Sequence, residues 1–154
     1  MPDFATLNGS VFDPSVPSHF TFTLTGGELQ TFKNNNGGPN DVGTPTLFYA
    51  ITSGGASGNF QVPFNSNLQN SGDQKWQTLT QNVNLLAGLA LGNYTATIRL
   101  TAPTGNDGNF SGGNTLDTGN FTVNFTVVPE PSILVLLAGP ALLAAWYFAR
   151  RAPA

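Results

Sequence analysis

Cysteine is absent from this 154-residue chain, histidine and methionine occur once each, and charged residues make up only 8%. Each scarcity closes a class of function. Without cysteine there is no disulfide framework, thiolate metal site or cysteine nucleophile. His19, the one histidine, has neither a second histidine for a zinc site nor a nucleophile-elbow serine to activate. No metal, no cofactor and no enzyme activity are therefore expected. Charged residues fall far below the usual quarter or so, and ahead of residue 129 the only cations are Lys33, Lys75 and Arg99. Phosphate backbones are bound by clustered cations, so nucleic acid is excluded as a partner.

The acids are as scattered as the bases. Asp13, Asp41, Asp73 and Asp107 each sit beside Pro, Asn or Gly, where Asp serves turn geometry. A glycosidase needs only two carboxylates across a cleft, but nothing in this spacing singles out such a pair. Asp107, Asn109 and Asp117 supply oxygens without the twelve-residue spacing of an EF-hand loop. The surface of residues 1–128 must take its polarity from Asn, Gln, Ser and Thr, which suits an exported protein living among uncharged polymers.

What the first 128 residues do have is alternation. Phe20, Phe22 and Leu24 alternate with threonines; Leu47, Tyr49 and Ile51, and likewise Phe60, Val62 and Phe64, recur at the same period of two. Pro63 makes that third run an edge or irregular strand. Tyr94, Ala96, Ile98 and Leu100 alternate with Thr95, Thr97 and Arg99, and Phe121, Val123, Phe125 and Val127 with Thr122, Asn124 and Thr126. A period of two with one apolar face predicts half-buried antiparallel strands. Less regular runs over 4–12, 28–33 and 75–85 bring the expectation to about eight strands in an all-β antiparallel sandwich. The polar stretches 33–43 and 104–120 read as loops, and Trp76 as the central core aromatic.

Residues 129–154 are of another kind. The segment opens on Pro129, Glu130, Pro131 and Ser132, continues as an uncharged run over 133–149 and ends near Arg150 and Arg151. As a helix that run rises about 25 Å, the short end of what crosses a bilayer core of about 30 Å. Trp146 and Tyr147 fall where an aromatic belt meets water, and the arginines just beyond them place the C-terminus in the cytoplasm. Residues 1–128 would then lie outside. The opening MPDFATLNGSVF has neither a basic n-region nor an apolar h-region: either a leader lies upstream of Met1, or the chain is not exported.

The tripeptide, apolar span and terminal arginines, in that order, resemble the PEP-CTERM sorting signal of Gram-negative bacteria. The resemblance covers residues 128–154. It implies an exosortase as partner, cutting near residues 129–131, passage through the inner membrane with the ectodomain in the periplasm, and a final place at the cell surface or in an exopolysaccharide matrix. Within the main domain, GLALGNYTATIRLTA over 88–102 resembles the penultimate strand of Ig-like domains in bacterial surface proteins. Leu89, Gly92 and Tyr94 have the spacing of a tyrosine corner, which implies that Tyr94 is a fold staple.

The expected architecture is thus an Ig-like β-sandwich over 1–128 followed by one C-terminal transmembrane helix. Two functions follow. One is a noncatalytic surface or matrix protein whose Thr/Asn faces contact exopolysaccharide or further copies of itself. The other is a carbohydrate-binding or carbohydrate-active domain, which requires Trp76 or a strand phenylalanine exposed among polar neighbours. A donor-strand subunit would need an unpaired strand.

Overall fold

The computed structural model describes residues 7–13, 21–32, 42–68, 73–106 and 109–128. Every element named among them is a β-strand, so the chain is all-β as its alternation implies. The tail, with its predicted transmembrane helix, lies outside the described residues, and within them no helix is long and apolar enough to cross a membrane.

The larger layer is a six-stranded sheet. Its main path runs β1 (Ser10–Phe12), β11 (Phe121–Val127), β9 (Gly92–Asn106), β4 (Thr46–Ile51), β5 (Ser57–Gln61), and β10 (Asn109–Asp117) also pairs with β9. All these pairings are antiparallel except β1 with β11. Facing it are a two-stranded sheet, β2 (Thr23–Leu24) with β8 (Val83–Asn84), and a three-stranded one, β3 (Gly27–Thr31), β7 (Gln74–Thr78), β6 (Phe64–Asn67). These two are a single pairing with a kink. Thr23 pairs with Asn84 and Gly27 with Thr78, so the stretch 25–26 is opposed by the longer stretch 79–82. Gly26, at φ 155°, lies against the Thr78 carbonyl, where any Cβ would collide with it.

The core between the layers has two lobes. Phe22, Leu85, Tyr94, Val123, Phe125 and Val127 form one, under β2 and β8; Leu47, Val62, Trp76 and Leu100 form the other, under β3, β7 and β6. Leu24 and Tyr49 pack against both. In the first lobe Phe125 meets three rings: Phe12 at 5.5 Å and Phe22 at 5.6 Å edge-on, and Tyr94 stacked at 5.6 Å. Such pairs add about 0.5–1.5 kcal/mol each beyond the area they bury. Trp76 is in the core as read, 5% exposed, with Phe64 edge-on at 5.7 Å. Its Nε1 and Gln74 Oε1 are buried with no hydrogen-bond partner among the described residues.

Three expectations change in detail. The run through Phe60, Val62 and Phe64 becomes two strands in different layers. Val62 N–H donates to the Pro45 carbonyl at 2.8 Å, and the Pro63 carbonyl accepts Gln77 N–H at 3.0 Å, so the chain changes sheet at the residue that lacks an N–H. The run over 75–85 divides into β7 and β8 for the reason given above. The third change corrects the loop reading of 104–120. Much of it is strand, as β10 pairs with the far end of a 15-residue β9.

β10 and β11 lie end to end along β9. Asp117 pairs with Thr101 and Phe121 with Ile98, so three residues, 118–120, oppose two. This is a bulge, with Gly119 at φ 71°. Thr118 holds it closed: its hydroxyl accepts Leu100 N–H at 3.1 Å, and its own N–H donates to the Leu100 carbonyl at 3.1 Å. Residues 111–120 are all exposed, which removes the apolar alternation that marks a strand in sequence.

Candidate functional site

Because the strand period is two, the side chains that the core does not take must all point the other way. The outer face of the six-stranded sheet is therefore fixed by register. One row reads Thr122, Thr97, Ala50, Ser57; the next reads Arg99, Phe48, Asn59; a third reads Asp117, Thr101, Thr46, Gln61. Threonine suits this setting because its branched Cβ favours the strand while its hydroxyl stays available.

At the centre of this face is an open concavity of about 620 Å³, whose lining includes Phe48, Ala50, Asn59, Thr97, Arg99 and Asn120. Phe48 is 40% exposed, flanked in register by Arg99 on β9 and Asn59 on β5. One wall is organised by an ion pair. Arg99 Nε donates to Asp117 Oδ1 at 2.9 Å and Arg99 Nη2 to Asp117 Oδ2 at 2.5 Å, the two-pronged geometry that a planar guanidinium and a carboxylate share. The Gly119 N–H adds a third bond to Asp117 Oδ1 at 2.9 Å. Arg99, then the Gly119 amide, hold the Asp117 carboxyl below its ordinary range, and the same pairing raises Arg99. The guanidinium is thereby pinned as a flat, charge-compensated donor surface beside the phenyl ring.

Toward the β11 end the same face carries a Thr/Asn ladder. Thr95 Oγ1 donates to Asn124 Oδ1 and Thr126 Oγ1 to Asn93 Oδ1, both at 2.8 Å. A smaller hollow of about 230 Å³ lies there, between Gly9 and these four side chains.

The opposite layer presents a different chemistry. Glu28 on β3 accepts from Gln30 at 2.7 Å and from Gln77 at 2.6 Å, and pairs with Lys75 at 3.0 Å. The Gln30 bond, followed by the Lys75 contact, keeps the Glu28 carboxyl below its usual range. Among the described residues, all the donors on this carboxylate are supplied from its own sheet, and no aromatic ring joins the network.

Of the residues singled out in the sequence, Tyr94 is 8% exposed and its phenol donates to the Ala90 carbonyl at 2.9 Å, four residues upstream. Trp76 is spent in the core and offers no platform. Asp117, read as a possible calcium oxygen, is engaged by Arg99. His19, Asp107 and the whole set Pro129, Glu130, Pro131, Ser132, Trp146, Tyr147, Arg150 and Arg151 lie outside the described residues. Among the described residues no group of three or more His, Asp or Glu is placed to hold a metal ion.

Sequence reasoning missed Phe48. It sits between Leu47 and Tyr49 in LFYAI, where the core alternation draws the eye, and its signal was being an aromatic at the polar phase of that alternation. Comparison with known proteins finds no family model, no curated protein and no solved structure that matches this chain.

Proposed function

We propose that this chain is a noncatalytic surface or matrix protein: an Ig-like β-sandwich, exported, held and sorted by a PEP-CTERM-like tail that an exosortase processes, and contacting exopolysaccharide through the outer face of its six-stranded sheet. The observation that carries the polysaccharide contact is Phe48. An exposed phenyl ring on the sheet's outer face, with Asn59, Arg99, Thr97 and Thr101 around it, pairs an apolar plate with hydroxyl and amide partners. A sugar ring has the same two aspects, an apolar C–H face and a polar rim. Such sites are mostly apolar, with a few well-placed polar groups setting orientation.

The charge balance narrows the ligand. Asp117 neutralises Arg99, so the cavity holds no uncompensated cation among its described lining, and neutral glycans fit it better than uronate-rich ones. Sorting rests on the tail's sequence: Pro129 and Pro131, residues that disfavour helix, stand directly before an apolar run.

The glycan contact is tested by affinity electrophoresis of the full chain, kept soluble in a polyoxyethylene detergent, through native gels containing neutral glucans, mannans or galactans. Retardation in at least one gel, lost in Phe48→Ala, is the expected result. Equal mobility in every gel with and without polysaccharide rejects it. Sorting is tested separately, by giving the chain an export signal and expressing it beside an exosortase. Persistence of the uncut tail rejects that half of the reading.

A further inference from the structure

The connection between β8 and β9, Leu85 to Leu91, is LLAGLAL, an odd composition for a surface turn. Its inward residues are well secured. Leu85 is 1% exposed, and Leu86 and Leu89 pack against the first core lobe. Asn84 starts the turn, its Oδ1 accepting Leu86 N–H at 3.0 Å, and Gly88 takes φ 74°. The Tyr94 phenol holds the Ala90 carbonyl at the other end. The outward residues are then displayed from a fixed frame: Ala87, Gly88 and Ala90 are exposed, and Leu91 is 58% exposed. A single exposed leucine is ordinary, so the position of this one is what matters.

Leu91 precedes Gly92, and Gly92 pairs with Val127 at the end of β11. The loop therefore sits beside the point where the chain leaves the domain. From Val128, the last described residue before the tail, to Ile133 is five residues, which reach at most about 18 Å even when fully extended. If residues 133–149 are in a bilayer, this end of the domain faces it at close range.

The end is also stripped of charge. Among the described residues, the segments that meet there, 10–13, 51–57, 84–95 and 124–128, hold one charged residue, Asp13. The neighbouring turn after β4 joins the same surface, since a Cβ on Gly55 would lie 2.8 Å from Leu89 Cδ2. At the other end of β9, roughly 40 Å away at about 3.3 Å per residue, stand the polar Asn109, Ser111 and Asn114.

We infer that the loop over 85–91 is a membrane-contact element: Leu91, with Ala87 and Ala90, seats the domain on the lipid surface next to its own tail. This rests on the tail's being membrane-inserted. The partner is the uncharged interfacial region of the bilayer, which apolar side chains enter by burial rather than by charge, so the contact does not depend on anionic lipid or on salt. Its consequence is a fixed orientation, with residues 129–131 held at the membrane surface and the Phe48 face standing roughly upright, open to the side.

The absence of cysteine makes the test direct. Leu91→Cys, Asn114→Cys and Ala144→Cys, each labelled with one fluorophore, are reconstituted as full chains in phosphatidylcholine nanodiscs with and without nitroxide-labelled lipid. The expected result is strong loss of emission at positions 91 and 144 and none at 114, unchanged by salt. Quenching at 144 without quenching at 91 overturns the contact and leaves the tail reading standing. Quenching at neither overturns both. Shielding at 91 that appears only in native membranes, never in pure lipid, overturns it in favour of a protein partner.

Discussion

Along β9, Tyr94, Ala96, Leu100 and Ala102 are buried, while Thr95, Thr97, Arg99 and Thr101 point the opposite way into solvent and the cavity. The two faces share one backbone and one set of ladder hydrogen bonds, yet they answer to different requirements. The inner face is closed: its rings touch within 5.4 to 5.7 Å, and a change of volume there must be felt by its neighbours. The outer face is open, and its side chains are largely free to be chosen for what they contact. Stability is thus concentrated on one side of the sheet and the proposed glycan contact lies on the other, so the two are separable by mutation.

The largest expected effect breaks the inner face. Phe125→Ala removes a ring that touches three others and should cost about 3–5 kcal/mol, read as a drop in the urea midpoint. Thr122→Ala, on the same strand but on the outer face, should stay within about 0.5 kcal/mol. Comparable losses at the two positions would remove the distinction between the faces.

A smaller effect sharpens it. Tyr94→Phe keeps the ring stacked on Phe125 but deletes the bond to the Ala90 carbonyl, so it should cost about 1 kcal/mol by the same measurement. Because that bond frames the loop over 85–91, amide exchange at residues 86–91 should accelerate while the rest of β9 stays protected. Unchanged exchange there would mean that the loop holds its shape without the phenol.

The smallest effect belongs to outer-face electrostatics. The Asp117 carboxyl is held below its unfolded value, so what it contributes is fully present above that value and is lost as pH falls through the lowered folded value. Both partners of the Arg99 pair are solvent-exposed, and such pairs contribute little. Asp117→Asn should therefore barely move the melting temperature near neutrality. It should slightly flatten the fall in melting temperature as pH drops through and below the ordinary aspartate range. A large loss at neutral pH would make the pair a structural element instead of a cavity wall.

How far these faces could be read from sequence depends on which one is considered. The inner face was legible because alternation is a direct imprint of burial: Leu47, Ile51, Tyr94, Leu100, Val123 and Phe125 all stand out against threonine. The change of layer at Pro63 was half legible, since a missing N–H predicts an irregular strand without saying that the chain passes from one sheet to another there. β10 was not legible. A strand exposed on both faces needs no apolar period, and its Gly and Asn residues resemble loop punctuation. Phe48 was missed for a related reason, since an aromatic at the polar phase acquires meaning only once register sets Arg99 and Asn59 beside it.

The most direct test of the account is amide chemical-shift mapping of the full chain titrated with an oligosaccharide of the neutral glycan that retards it in gels. The account predicts shifts clustered at Phe48, Ala50, Asn59, Thr97 and Thr101, vanishing in Phe48→Ala at an unchanged urea midpoint. Shifts centred on the Glu28, Lys75 and Gln77 face, or an equal response from the Phe48→Ala chain, would contradict it.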